Sequence, residues 1–404
     1  MRDIAMCSPA QQSPPIRVLH LITRMILGGA QENTLLTCEG LHDDPYWDVT
    51  LVTGPAVGPE GELMSRAYQH DIDTIVVPSL RRSINPWRDT AAFDRILRII
   101  RHIRPTILHT HSSKAGILGR FAAQIARTPI TIHTVHGLPF HRNLSHLSNA
   151  AFISGEWAGA HCSDAIICVA DAMTEQALNA GVGSPDQYTT IHSGMEVEKF
   201  LAADHHRKDA RKALGFEPDD IVIGKIARLF PLKGHKYLLE AAPKIIDRCP
   251  HVKLLFVGNG VLRETLETRA RELRIRDRIV FAGLVDPSRI PHMIGAMDIL
   301  VHASLREGLP RAIVQALLGG RPVVSYDVDG APEVVIDDVT GHLVPPRSVQ
   351  KLAEAVIGLV KNPEHARAMG REGQRRFTHQ FRASTMVQKI QEVYRQQLAK
   401  TTGV

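Results

Sequence analysis

Residues 301–345, VHASLREGLPRAIVQALLGGRPVVSYDVDGAPEVVIDDVTGHLVP, read as a strand, a loop, a helix and a second strand. The apolar run ending at Val301 is short and rich in β-formers, so it reads as a buried strand, with His302 to Leu309 as the loop after it. Pro310 suits the first helical position, where its missing N–H costs nothing. Ala312, Ile313, Ala316 and Leu317 fall at helical spacing and face a sheet, and Gly319 and Gly320 end the helix before the strand PVVSY. Glu307 stands just ahead of that helix, and the amides of Arg311 and Ala312 open it. A helix N-terminus after a parallel strand carries roughly half a positive charge and is a ready anion site. An ordinary βαβ crossover with a surface glutamate gives the same local pattern.

The 404 residues exceed what one hydrophobic core usually supports, so two domains are expected. Hydrophobic content of 44% and charged content of 22% are ordinary for an α/β protein. Five cysteines without C-x-x-C spacing argue against a disulfide framework or a zinc site. The net charge of +6 resides in the second half, because residues 1–195 carry 15 basic against 17 acidic side chains. Nucleic acid is not an expected partner: aromatics are only 5% and do not interleave with the basic residues. There is no run of eighteen apolar residues, and MRDIAMCSPAQQSPP reads as a disordered leader, which points to the cytoplasm.

Upstream, IRVLHLI (16–22) is a strand, and Gly28 and Gly29 after it leave room for close backbone approach at a helix start. The loop G-G-A-Q-E-N lacks the spacing of a dinucleotide fingerprint. The 81–104 region holds Arg81, Arg82, Arg88, Arg95, Arg98, Arg101 and Arg104 against Asp89 and Asp94. Part of it is a basic amphipathic helix, suited to an anionic membrane surface or simply to solvent. His109, His111, His133 and His136 sit on or near two strands, but no carboxylate or cysteine accompanies them, so no metal is expected. Residues 143–162 read as a helix. In the second half, Arg228 ends a strand and Lys233 precedes a helix, a pairing of cations suited to a diphosphate. Asp327-Val328-Asp329 spells D-x-D and is taken as coincidence.

E-G-L-P-R-A-I-V-Q, A-L-L-G-G-R-P-V-V and G-A-P-E-V-V together resemble the signature of glycosyltransferase family 4, retaining enzymes of GT-B fold. I-A-R-L-F-P-L-K-G, H-S-S-K-A-G-I-L-G-R and T-V-H-G extend the resemblance over nearly the whole chain, toward the branch that builds bacterial exopolysaccharides, capsules and lipid-linked glycans. It implies two Rossmann-like α/β domains with parallel sheets facing across a cleft. The divisions expected are the leader (1–15), an acceptor-side domain (16–194), a donor-binding domain (195–380) and a last helix (381–404) crossing back to the first domain. It further implies that Glu307 and His136 reach the donor sugar and that Arg228 and Lys233 hold its diphosphate. Gly28, Gly29, Gly258, Leu309, Arg311 and Ala312 would line the donor pocket, with Leu284 and Val285 seating the base.

The family pattern has a second glutamate eight positions after the first; here Gln315 stands there, and its amide can still bond ribose hydroxyls. The expected activity is transfer from a nucleoside-diphosphate sugar, UDP being the expected nucleotide, to a glycan or lipid-linked acceptor. Neither cofactor nor metal is expected, and the protein would lie in the cytoplasm, peripheral at the inner face of the cell membrane. The alternatives are a nucleotide-sugar epimerase on the same fold and a degenerate protein that binds nucleotide sugar without turning it over.

Overall fold

A computed structural model describes residues 14–56, 61–141 and 144–402, so the leader expected over 1–15 lies outside the described residues except for Pro14 and Pro15. Apolar runs form strands wherever the sequence places them. The first sheet contains β1 (Ile16–Ile22), β2 (Trp47–Thr53), β3 (Asp73–Val76), β4 (Ile107–His111), β5 (Ile130–Val135), β6 (Ala165–Cys168) and β7 (Tyr188–Thr190). Their order is β3-β2-β1-β4-β5-β6-β7, with every pairing parallel. The second sheet contains β8 (Ile221–Ile226), β9 (Val252–Val257), β10 (Ile279–Gly283), β11 (Ile299–His302), β12 (Val323–Tyr326) and β13 (Gly341–Val344), ordered β10-β9-β8-β11-β12-β13 and again all parallel.

Each sheet therefore reverses its winding once, between β1 and β4 and between β8 and β11. Ligands of open parallel sheets collect beyond the strand ends at such points. The loops after β1, β8 and β11 carry Gly28, Lys233 and Glu307 respectively, so topology alone brings the sequence candidates to the two reversal points. Strands buried on both faces read as largely apolar runs, as β1 and β8 do, whereas β4 (ILHTH) buries two histidines and a threonine as well.

One apolar cluster runs from the first domain (Val135, Ile166, Met173) into the second (Leu309, Ile313, Leu317). The last helix, Ala383–Thr402, returns to the first domain. Its Met386, Val387, Ile390, Val393 and Tyr394 pack with Val18, Leu35, Leu41 and Trp47. Each such burial is worth roughly 1.5–3 kcal/mol. Met195 N–H donates to Phe381 O at 2.8 Å and Ala383 N–H to Met195 O at 3.1 Å, which fixes where the chain crosses.

Two local expectations shift. Pro310 is the capping residue rather than the first helical one: its ψ of 93° is extended, and its carbonyl accepts from Ile313 N at 3.0 Å as the helix Arg311–Leu318 begins. Proline's fixed φ suits both positions. The helix expected over 143–162 spans His146–His161, with the Ser145 hydroxyl accepting from Ser148 N at 3.2 Å at its start.

Candidate active site

The loop after β8 and the loop after β11 are joined by one ion pair. Lys233 Nζ lies 2.7 and 2.9 Å from the two carboxylate oxygens of Glu307. His302, at the end of β11, places Nε2 3.0 Å from Glu307 Oε1. The Glu307 amide donates to Asp329 Oδ2 at 2.7 Å, which ties the loop to the turn after β12. Burial alone would raise the Glu307 carboxyl, but Lys233 and then His302 hold it well below the usual carboxylate range. Gly234 has φ +69°, and a Cβ there would lie 1.7 Å from Ala303 O, so only glycine lets the two loops approach this closely.

Arg228 follows β8 and stacks its guanidinium 5.0 Å from the Phe230 ring centroid. Arg228, Lys233 and Glu307 line one cavity of about 570 Å³ together with Gly137 and Leu138 from the first domain. The loops of the two domains touch here: a Cβ on Gly308 would lie 2.8 Å from His136 O. His136 is half-buried, and desolvation followed by the Arg311 guanidinium lowers its imidazole pKa to about 3, so the ring is neutral.

The helix Arg311–Leu318 leaves its first amides without intrahelical partners, as every helix start does. The Arg311 side chain reaches the first domain, with Nη2 2.6 Å from Glu32 Oε2 and Nη1 3.2 Å from Gly194 O. Gly29 makes room for it, because a Cβ there would meet Arg311 Cδ at 2.6 Å. The close approach at this glycine is therefore to a protein side chain. Gly28 has an extended φ of 172°, which any residue adopts. Gly28, Val285, Arg311 and Gln315 line a second cavity between the domains.

Three further expected pocket residues take these places. Leu284 is 62% exposed at the surface, Leu309 is buried in the interdomain core, and Gly258 shapes a turn. With φ +133°, a Cβ on Gly258 would lie 2.1 Å from Ala227 O, directly behind Arg228.

Four residues at or beside the site escape a sequence reading. His302 reads as the first loop residue but is the buried last residue of β11. Lys225, inside β8, is fully buried; among the described residues its Nζ has no hydrogen-bond partner, and burial lowers its amine to about 7 against the opposing pull of Glu307. Asp329, half of the D-x-D, accepts the Glu307 amide and, through Oδ1, the Gln176 side chain at 3.1 Å. Glu333, in G-A-P-E, accepts the Asp171 and Ala172 amides at 2.9 Å each and so caps a first-domain helix from the second domain.

A family model described as "Glycosyl transferase 4-like domain" matches residues 28–194, and one described as "Glycosyl transferases group 1" matches residues 206–376. A UDP-Gal:alpha-D-GlcNAc-diphosphoundecaprenol alpha-1,3-galactosyltransferase of Escherichia coli is 27% identical over 94% of this chain and 96% of its own. The capsular polysaccharide biosynthesis glycosyltransferase CapM of Staphylococcus aureus is 23% identical over 83% of this chain and 88% of its own. The crystal structure of Anabaena HepE in complex with UDP-glucose superposes with a TM-score of 0.80 at 21% identity, covering 94% of this chain and 100% of that one. With both halves matched in order on two parallel-sheet domains, the chain belongs to the GT-B glycosyltransferases that join a 4-like domain to a group 1 domain.

Proposed function

We propose that this glycosyltransferase moves a hexosyl or N-acetylhexosaminyl group from a UDP-sugar to a hydroxyl of a polyprenyl-diphosphate-linked glycan, with retention at the anomeric carbon, in cell-surface polysaccharide synthesis. The observation that carries the reading is the Lys233–Glu307 pair, set beside Arg228 where the second sheet reverses its winding. When the bond from the anomeric carbon to the phosphate oxygen breaks, the diphosphate gains charge, and Arg228, Lys233 and the amides of Arg311 and Ala312 stabilise it. Glu307 and His136 orient the sugar, and the Gln315 amide bonds the ribose hydroxyls.

A double displacement would need a second carboxylate about 5 Å from the first. Asp329, the nearby acid, is occupied by the Glu307 amide and Gln176. A same-face path fits better: the acceptor oxygen bonds to the anomeric carbon on the face the diphosphate leaves, and its proton passes to a departing phosphate oxygen. The Escherichia coli relative, by its name, uses UDP-Gal and a diphosphoundecaprenol acceptor, which supports a UDP donor and a lipid-linked acceptor here.

A lipid-linked acceptor calls for a place at the membrane, and among the described residues no helix is long and apolar enough to cross one. The helix Pro86–Ile103 buries Ala92, Ile96, Ile99 and Ile100 and leaves Arg95, Arg98 and Arg101 exposed. At its start Ile84 and Trp87 are 78% and 87% exposed, beside exposed Arg81 and Arg82. Two apolar side chains among cations suit peripheral contact with anionic lipid.

The experiment is incubation with UDP-galactose and other UDP-hexoses in phosphatidylglycerol vesicles, with and without GlcNAc-diphosphoundecaprenol. Acceptor-dependent UDP release and an α-linked product support the reading. Donor isomerised without acceptor favours the epimerase, and donor bound without product favours the degenerate binder.

A further inference from the structure

Beneath His136 the first domain contains a continuous chain of hydrogen bonds that no apolar core requires. His136 Nε2 lies 3.2 Å from His111 Nδ1, and His111 Nε2 lies 3.0 Å from His20 Nδ1. His20 Nε2 lies 3.3 Å from the hydroxyl of Tyr394, which lies 2.6 Å from His109 Nδ1. His109 Nε2 ends the chain 2.7 Å from Thr134 Oγ1. The members come from β1, β4, β5, the loop after β5 and the returning last helix.

Burial holds all four imidazoles neutral. A neutral imidazole has one N–H and one lone pair, so His20, His111 and His136 share one direction, set by whether His20 Nε2 donates to the Tyr394 hydroxyl or accepts from it. Tyr394 decides the direction. Bonds donated by O–H are shorter than those donated by N–H. The 2.6 Å contact suits Tyr394 donating to His109 Nδ1, which leaves His20 Nε2–H to donate to Tyr394 across the 3.3 Å contact. His109 Nε2–H then donates to Thr134, His20 Nδ1 accepts from His111 Nε2–H, and His111 Nδ1 accepts from His136 Nε2–H.

We infer that Tyr394, on the helix that crosses back from the second domain, is a positioning residue: through His20 and His111 it holds His136 as the Nε2–H tautomer, with Nδ1 left as a hydrogen-bond acceptor. Among the described residues Nδ1 has no protein partner, so it accepts from a hydroxyl of the bound sugar. The kinetic consequence rests on His136 facing the donor; the tautomer itself does not. The His20, His109 and His111 nitrogens also lie within 4.8 Å of one another. Three imidazoles can hold a divalent ion, and one bound there would take the ring lone pairs and displace the bonds just described.

The test is a two-bond proton–nitrogen spectrum of the full chain carrying nitrogen-15 histidine, with His136 assigned from a His136→Ala sample. The wild type should show His136, His111 and His20 protonated at Nε2. Tyr394→Phe keeps the ring packed against Trp47 at 5.5 Å between centroids and removes only the hydroxyl. An orphaned buried N–H is costlier than an orphaned lone pair, so the chain should reverse and His136 should shift toward Nδ1–H. The kcat/KM for UDP-hexose transfer should then fall about tenfold. His136 protonated at Nδ1 in the wild type overturns the inference whether or not the variant folds. So do His136 resonances unmoved in Tyr394→Phe, or a stoichiometric metal found by elemental analysis. If no UDP-hexose is turned over while the tautomers are as stated, the functional reading fails and the relay stands.

Discussion

Lys233 and Glu307 are 74 residues apart in sequence and form a two-pronged ion pair, with Nζ 2.7 and 2.9 Å from the two carboxylate oxygens. On the proposed function, the pair makes the cation assigned to the diphosphate and the acid assigned to the sugar set one another's position. Lys233→Ala and Glu307→Ala should each lower kcat/KM by about 10²–10³-fold, and the double variant should cost far less than the product of the two. Steady-state rates beside circular dichroism spectra check this; near-normal rates in either single variant remove the site.

Gly234→Ala should be as damaging as a change in the ion pair, although glycine offers no side chain to a ligand. Its Cβ would lie 1.7 Å from Ala303 O at φ +69°, so the loops bearing Lys233 and Glu307 must part. Loss of at least tenfold in kcat/KM and a lower melting temperature are expected.

The buried pair of Arg120 and Glu156, 2.8 Å apart with side chains 1% and 7% exposed, fixes two first-domain helices. Arg120→Met should cost about 3–5 kcal/mol in denaturant unfolding, because Glu156 is left buried without its partner. Changing Glu156→Gln as well should recover part of that loss.

Lys225 carries a pH prediction. Its folded pKa is about 7 against an ordinary 10.5, so between those values the unfolded chain holds a proton that the folded one lacks. Its contribution to stability is present above pH 10.5 and is lost as pH falls through 7. Lys225→Met should therefore raise the melting temperature by several degrees at pH 6.5, and the gain should shrink by pH 9.5. Calorimetry at the two pH values measures it; a variant less stable at pH 6.5 contradicts the account.

Most of the fold is legible because parallel strands covered on both faces are mostly apolar, and IRVLHLI or KLLFV admit little else. Glu307, Arg228 and Lys233 are legible because each stands between a strand and a helix start, where a charge has a purpose. The pairing of Lys233 with Glu307 is not legible, since it depends on how β8 and β11 lie side by side. Lys225 misleads because a charge in a strand ordinarily faces solvent, whereas here both faces are covered. His20 hides inside an apolar run, and its partners His111 and Tyr394 are 91 and 374 residues away. The glycine after β1 is legible as a close approach but not as room for Arg311.

A crystal structure with UDP bound tests the central claim most directly. The account predicts the β-phosphate within hydrogen-bond reach of Arg228, Lys233 and the Arg311 amide, with the ribose at Gln315. UDP bound elsewhere, with that pocket empty, would contradict it.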